Sequence, residues 1–162
     1  MFRKLRQLTL SLAVMSLSTT AVMAQKAADF SLAGDKGKVS LSAHKNKVVY
    51  VDFWASWCKP CRESFPFMND MQKRYGGKGL EIIGINLDSD RASAMKFLKQ
   101  TPANFTIAYD PEGKTPASYG LQVMPTSYLI DRKGNLINVH KGFKDNQRAA
   151  LEKHIKQALL AR

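Results

Sequence analysis

The stretch that decides the fold is Asp52-Phe53-Trp54-Ala55-Ser56-Trp57-Cys58-Lys59-Pro60-Cys61. It begins inside an apolar run, Val48 to Trp54, which is typical of a β-strand buried on both faces. It ends in a Cys-Lys-Pro-Cys motif, and the sequence contains no other cysteine. The one intrachain disulfide available to this protein therefore closes a very small loop, which indicates redox chemistry.

The two cysteines are expected to have different roles. Beyond the motif, apolar residues recur at steps of three and four and predict a helix from Cys58 to Tyr75, with Pro66 inside it as a kink. Cys58 would lie at the helix N-terminus, where free backbone N–H groups and the helix dipole stabilise a thiolate. Cys61 would lie one turn further in and be shielded. We therefore predict a redox disulfide in which Cys58 is the attacking nucleophile and Cys61 resolves the mixed disulfide.

The residues between the cysteines bear on the direction of the reaction. Lys59 adds a positive charge beside Cys58, and Pro60 restricts the loop early in the helix, where its missing N–H needs no partner. No histidine stands there to stabilise the thiolate strongly, as in powerful oxidants. This favours a disulfide reductant over the alternative, an oxidase or isomerase.

Asp52 is the one polar residue in the apolar run, six positions before Cys58. Burial of an unpaired carboxylate is costly and raises its pKa toward neutrality. Asp52 is therefore a candidate base that takes the proton from Cys61, directly or through a water. The alternative is a structural aspartate satisfied by a backbone or lysine partner.

Other functions of a cysteine pair find less support in the sequence. A structural zinc site needs about four ligands, and His44, His140 and His154 are scattered without ligand spacing. Covalent haem attachment needs a histidine after the second cysteine, where this chain has Arg62. An inert structural disulfide would close too little chain to stabilise the fold much. We expect neither a metal nor a cofactor.

Copper binding or delivery is the alternative from a different functional class. Soft thiolates select Cu(I), and in this alternative Met68, Met71 and Met124 supply thioether ligands near the cysteines. Met68 and Met71, however, fit the apolar face of the predicted helix.

The N-terminus is typical of a secretory signal peptide covering residues 1–24. A basic start precedes the apolar stretch Leu8 to Val14, and Val22-Met23-Ala24 offers short residues at the cleavage position. The mature domain would be residues 25–162 and the location the periplasm. The alternative, an uncleaved membrane anchor, is less favoured because serines and threonines interrupt the apolar stretch.

Cleavage after Ala24 leaves 138 of the 162 residues, enough for one domain with a sizeable core. Three of the 25 basic residues and none of the 13 acidic ones lie in the signal segment, so the mature net charge is +9. The basic residues are spread without a dense cluster or interleaved aromatics, which predicts a solvated basic surface and no nucleic-acid partner. Attraction to anionic membranes or acidic proteins is the alternative. We expect a monomer.

The remaining pattern is that of one compact α/β unit. Strand, helix and strand in succession imply a parallel pair with a crossover helix. A short edge hairpin or an extended lead-in precedes them, and a helix, a strand and a short helix follow. An antiparallel hairpin and a C-terminal helix close the chain. The predicted spans are Phe30 to Leu32, Val39 to Leu41, Leu80 to Leu87, Arg91 to Gln100, Thr106 to Tyr109, Lys114 to Tyr119, Thr126 to Ile130, Leu136 to His140 and Asp145 to Leu160, with Asp145 as N-cap.

The Asp52–Cys61 stretch, Pro66 and Met124-Pro125-Thr126 together resemble the thioredoxin superfamily. The lead-in Asp29-Phe30-Ser31-Leu32, the central segment Arg91 to Tyr119 and the ending Ser127 to Gly134 are more similar to its exported branch, the thiol-disulfide reductases of the TlpA and ResA type. The resemblance covers nearly all of residues 28–160. It implies a thioredoxin-like α/β fold: a central mixed sheet flanked by helices, with an N-terminal β extension and a central insert.

The resemblance also implies a substrate-binding surface. Pro125 would be a cis proline facing the cysteines, the backbone of Met124 would pair with an incoming substrate strand, and Trp57, Lys59 and Pro60 would complete the surface. The implied partners are substrate proteins with disulfides and a membrane thiol donor that returns the protein to its reduced form. The sequence leaves three substrate classes open: apocytochrome c, copper-site precursors and damaged thiols in general.

Overall fold

The computed structural model describes residues 25–161, so the predicted signal peptide lies outside the described residues. This described part of the chain contains seven strands: β1 (Ser31–Gly34), β2 (Gly37–Ser40), β3 (Val48–Trp54), β4 (Leu80–Asn86), β5 (Thr106–Tyr109), β6 (Thr126–Ile130) and β7 (Leu136–Lys141). The helices are α1 (Lys59–Tyr75), α2 (Arg91–Gln100), α3 (Lys114–Ser118) and α4 (Arg148–Leu160). None of the helices in this part of the chain is long and apolar enough to cross a membrane.

The strands form one mixed sheet in the order β2-β1-β5-β4-β3-β6-β7. Strands β3, β4 and β5 run parallel, whereas β6 and β7 are antiparallel additions beside β3. The hairpin β1–β2 extends the other edge by pairing with β5. The structure therefore confirms the α/β class, the parallel pair joined by a crossover helix and the N-terminal β extension. The predicted central insert supplies α2, β5 and α3.

Strand β3 is the centre of the core because all seven of its residues are buried. Alternate side chains point to opposite faces of a strand, so β3 contributes to two apolar layers. Tyr50 and Trp54 belong to the layer beneath α1, which also contains Cys61 and Phe65. Val51 and Phe53 belong to the opposite layer. Asp52 lies between Tyr50 and Trp54 and therefore faces the same side as Cys61.

Helix α1 begins at Lys59, with Cys58 as its N-cap residue and Pro60 in the first turn. Its buried face is the predicted apolar stripe, which includes Phe65, Met68 and Met71. The helix continues through Pro66. Cys58 therefore lies where the sequence places it, at the first free N–H groups of a long helix.

One predicted helix start is wrong. Residues Asp145–Gln147 form a separate 3-10 turn, and α4 begins at Arg148 with Gln147 before it. Asp145 does not cap the helix, because its carboxylate accepts a hydrogen bond from Arg148 Nε at 2.9 Å instead. Leu151 and Ile155 of α4 are buried against the core, and Leu159 is partly buried against it.

Candidate active site

The two cysteines are joined by a disulfide at the start of α1. A turn closed by the hydrogen bond from Cys58 N–H to the Ala55 carbonyl, 3.1 Å, carries the chain from β3 into the helix. Cys58 retains 5% of its surface, whereas Cys61 retains none. The structure therefore distinguishes the two sulfurs, since a partner can approach Cys58 only.

Cys58 opens onto a groove of about 430 Å³. One wall consists of Trp57 and the Lys59-Pro60 pair, and the other is the segment Leu121 to Met124. Trp57 is 71% exposed and Val123 is 49% exposed, so large apolar side chains border this groove. Cys61 does not line it. The structure thus brings together five of the predicted site residues: Trp57, Cys58, Lys59, Pro60 and Met124.

Pro125 directly follows the second wall, and the Met124–Pro125 peptide bond is cis, as the resemblance implies. Two hydrogen bonds fix the backbone around Pro125, one to a carbonyl before the proline and one to the carbonyl of the proline itself. The Thr126 hydroxyl donates to the Val123 carbonyl at 2.7 Å, and the Gly142 N–H donates to the Pro125 carbonyl at 2.7 Å.

Asp52 is buried, as predicted, with 2% of its surface exposed. Its strand neighbours are Gly84 on β4 and Ser127 on β6. Its Oδ2 atom has no hydrogen-bond partner within residues 25–161. Loss of hydration raises the pKa of Asp52 well above its usual range. The neutral acid is therefore the favoured form over a wider pH range than for a surface aspartate.

Gly84 explains why Asp52 has no basic neighbour at the paired position on β4. A Cβ atom on Gly84 would lie 2.9 Å from Phe105 Cε2 and 3.1 Å from Trp54 Nε1, so these rings occupy the space of a side chain. On the β6 side the Ser127 hydroxyl accepts a 2.6 Å hydrogen bond from Tyr50. No lysine or backbone group within the described residues bonds Asp52 Oδ2, so a structural role in which such a partner satisfies this oxygen is not supported.

The sequence did not predict a role for Asp88, which follows β4. Its buried carboxylate accepts hydrogen bonds from the Ser56 N–H at 2.9 Å and the Ser56 hydroxyl at 2.8 Å. Ser56 lies within the motif, but an aspartate after a strand gives no sequence signal of a partner 32 residues earlier. The sheet topology brings Asp88 and Ser56 together, because β3 and β4 are parallel neighbours and end side by side.

The residues considered for metal binding are dispersed in the structure. His44 lies 3.8 Å from Glu81, and the His140 ring is 3.3 Å from Gln147. Within residues 25–161 no three His, Cys, Asp or Glu side chains form a group suited to a metal ion. Met68 and Met71 are fully buried in the core beneath α1, whereas Met124 borders the groove.

A family model called Redoxin matches residues 23–157. The chain belongs to this family. It is 37% identical over 120 residues to the thiol-disulfide oxidoreductase ResA of Bacillus thuringiensis subsp. konkukian, covering 74% of this chain and 68% of the relative. It is 32% identical over 117 residues to ResA of Bacillus subtilis, covering 72% and 65%.

Solved structures of thiol-disulfide oxidoreductases are also similar to this chain. A Chlorobium tepidum protein assigned as a thiol:disulfide interchange protein DsbE superimposes with a TM-score of 0.83 at 53% identity, covering 84% of this chain and 96% of that one. A Bacteroides thetaiotaomicron protein assigned as a protein disulfide isomerase gives 0.78 at 28% identity, covering 91% and 96%. The thioredoxin-like fold and the resemblance to the ResA type are confirmed, and the protein is a thiol-disulfide oxidoreductase with a CxxC pair.

The raised pKa of Asp52 predicts how stability depends on pH. The unfolded chain loses this proton near pH ~3.9, whereas the folded protein retains it to higher pH, so the parent loses stability as pH rises between the two pKa values. Asp52→Asn removes this loss, about 1.4 kcal/mol for each unit of pKa difference. We expect the oxidised variant to be more stable than the parent in urea unfolding at about pH 8, with a smaller gain at about pH 4.

Asp145→Asn is the control for removal of an aspartate charge, because that side chain is 83% exposed. Its effect on the free energy of unfolding should stay small at both pH values. A gain for Asp52→Asn that is equal at about pH 4 and about pH 8 would contradict a raised pKa.

Proposed function

We propose that this protein is an exported disulfide reductase in which Cys58 attacks, Cys61 resolves and Asp52 accepts the proton of Cys61. The observation that carries the proposal is the difference in burial of the two sulfurs at the start of α1. The accessible sulfur is also the one at the helix N-terminus, where a thiolate is most stable. The same cysteine is thus best placed both to meet a substrate and to react with it.

The reaction begins with the dithiol form. The Cys58 thiolate attacks one sulfur of the substrate disulfide, that bond breaks, and the other substrate sulfur leaves as a thiolate. Cys61 then loses its proton and attacks Cys58, which releases the second substrate sulfur. Two electrons pass to the substrate, and the Cys58–Cys61 disulfide forms.

The second step needs an internal base because Cys61 is shielded from water. Asp52 faces the same core layer, and Oδ2 is an available acceptor. A carboxylate with a raised pKa is a stronger base than a surface aspartate, and this suits it to accept a thiol proton near neutral pH.

The groove provides a docking surface for a protein segment. Trp57, Pro60 and Met124 offer apolar contact, Lys59 adds charge at the rim, and Pro125 fixes the backbone of the second wall. An extended chain that lies in this groove would present its disulfide to Cys58. Candidate substrates are disulfide-containing proteins such as apocytochrome c or copper-site precursors.

The proposed setting is the periplasm, reached through cleavage of the signal peptide at residues 1–24. A reductant in an oxidising compartment must be reduced again after each turnover, so a membrane thiol donor is its proposed electron source. The protein would act as a monomer.

The cysteine roles predict different behaviour in two variants. Cys58→Ala should abolish disulfide reduction, because no accessible sulfur remains. Cys61→Ser should still attack but should accumulate mixed disulfides on Cys58, because the resolving thiol is absent. Mass spectrometry of trapped complexes from the native host would identify the substrates. Trapping by Cys58→Ala instead of Cys61→Ser would reverse the assignment.

The proposed direction predicts the reduction potential. Equilibration with glutathione buffers should give a value below about −200 mV, since Lys59-Pro60 offers no strong thiolate stabiliser. A value above about −150 mV would place the protein with the oxidases.

The proposed base predicts which step Asp52→Asn slows. Attack by Cys58 should be nearly unchanged, and resolution by Cys61 should slow by about 10²-fold, a typical contribution of a general base. Stopped-flow fluorescence of Trp54 and Trp57 would follow both steps. Equal rates of resolution in variant and parent from about pH 6 to about pH 8 would show that Asp52 has a structural role only.

A further inference from the structure

The carboxylate of Asp88 binds the turn that carries Cys58. Asp88 Oδ2 accepts the Ser56 N–H and Oδ1 accepts the Ser56 hydroxyl. Ser56 lies inside the turn closed by the hydrogen bond from Cys58 N–H to the Ala55 carbonyl. Asp88 therefore restrains the chain two residues before the reactive sulfur.

The position of Asp88 is itself fixed. Asn86 Nδ2 donates to Asp88 Oδ2 at 2.7 Å, and Asn86 Oδ1 accepts the Asp88 N–H at 3.2 Å. The Leu87 N–H also donates to the Trp54 carbonyl at 2.9 Å, which ties this segment to the end of β3. Three donors thus point at the two oxygens of Asp88, the pattern of an acceptor-only, ionised carboxylate.

A fixed negative charge at this place affects the two redox states differently. Only the dithiol form contains the Cys58 thiolate, and a nearby like charge disfavours that thiolate. Water screens the charge poorly because Asp88 is buried. Destabilising the thiolate destabilises the dithiol form, and a couple with a less stable dithiol form is more reducing.

Other charged groups lie on the elements around this region. Lys59 on α1 is exposed beside Cys58, and the groove wall Leu121 to Met124 contains no titratable side chain. The others are Asp52 on β3, Asp90 at the N-cap of α2, Asp110 after β5 and Lys141 at the end of β7, which is bonded to Gln122. Asp88 is the group whose hydrogen bonds go to the turn itself.

We propose that Asp88 is a positioning residue that holds the Cys58 turn through Ser56 and whose charge keeps the Cys58–Cys61 couple reducing. This inference rests on the proposed reductase function, and the test separates the two. Asp88 makes no contact with substrate in this account, because it acts through the turn and its electric field.

Asp88→Asn tests the charge while keeping the shape and an acceptor oxygen. The pH midpoint of Cys58 alkylation should fall by about one unit. The equilibrium constant with glutathione should shift about tenfold toward the dithiol form, which is about 30 mV for a two-electron couple. Thermal unfolding recorded in parallel would show whether the variant remains folded.

Two further variants complete the test. Asp90→Asn removes the same charge two residues away and retains a good N-cap. The acid dissociation constant of Cys58 and the equilibrium constant with glutathione should therefore each change less than about twofold. Ser56→Ala keeps the Asp88 charge and removes one donor that offsets it, so the alkylation midpoint should rise. Ser56 is part-exposed, so Ser56→Ala can still test the proposal if Asp88→Asn does not fold.

The inference is overturned if Asp88→Asn leaves the midpoint and the potential unchanged, if Asp90→Asn shifts them equally, or if Ser56→Ala lowers the midpoint. The parent potential separates this result from the proposed function. A parent value above about −150 mV with a further rise in Asp88→Asn would refute the reductase direction and support the role of Asp88.

Discussion

The rest of the site depends on how the first turn of α1 is fixed against the end of β3. The turn from Ala55 to Cys58 is closed by its own backbone hydrogen bond and held from outside by Asp88. It places one sulfur at a helix N-terminus beside a groove and buries the other one turn deeper. Access and a position that stabilises a thiolate thus coincide on Cys58 because of backbone geometry, not because of an unusual side chain.

Two buried carboxylates flank this turn in different electrostatic states. Asp88 has its oxygens occupied by donors from Ser56 and Asn86, whereas Asp52 keeps an oxygen without a partner. Burial without compensation costs stability and raises the pKa of Asp52, so Asp52 is the carboxylate better suited to exchange a proton. Gly84 maintains this state by leaving the space on β4 to Trp54 and Phe105. The site combines a carboxylate bonded to the turn of Cys58, the proposed nucleophile, with a carboxylate of raised pKa on the side of Cys61, the proposed resolving thiol.

Much of the fold could be predicted because its signals are local. The apolar run of β3, the stripe of α1 and the cysteine spacing each lie within one short segment. The start of α4 could not be predicted from Asp145, because the Asp145 carboxylate accepts a hydrogen bond from the Arg148 side chain and not from the backbone N–H groups of the helix. The bond between Ser56 and Asp88 joins residues far apart in sequence, and only the parallel pairing of β3 and β4 brings them together. The burial of Asp52 could be predicted from its apolar neighbours in sequence. Its lack of a basic partner could not, because it depends on Gly84, which pairs with Asp52 on β4.

The most direct test of the account is the order in which the two thiols react in the fully reduced protein. Limited iodoacetamide labelling, with the modified peptides resolved by mass spectrometry, would measure both rates in one sample. The account predicts that Cys58 is labelled first and that Cys61 reacts at least about tenfold more slowly, because one thiol is a stabilised, accessible thiolate and the other is shielded. Faster labelling of Cys61, or equal rates at the two positions, would contradict it.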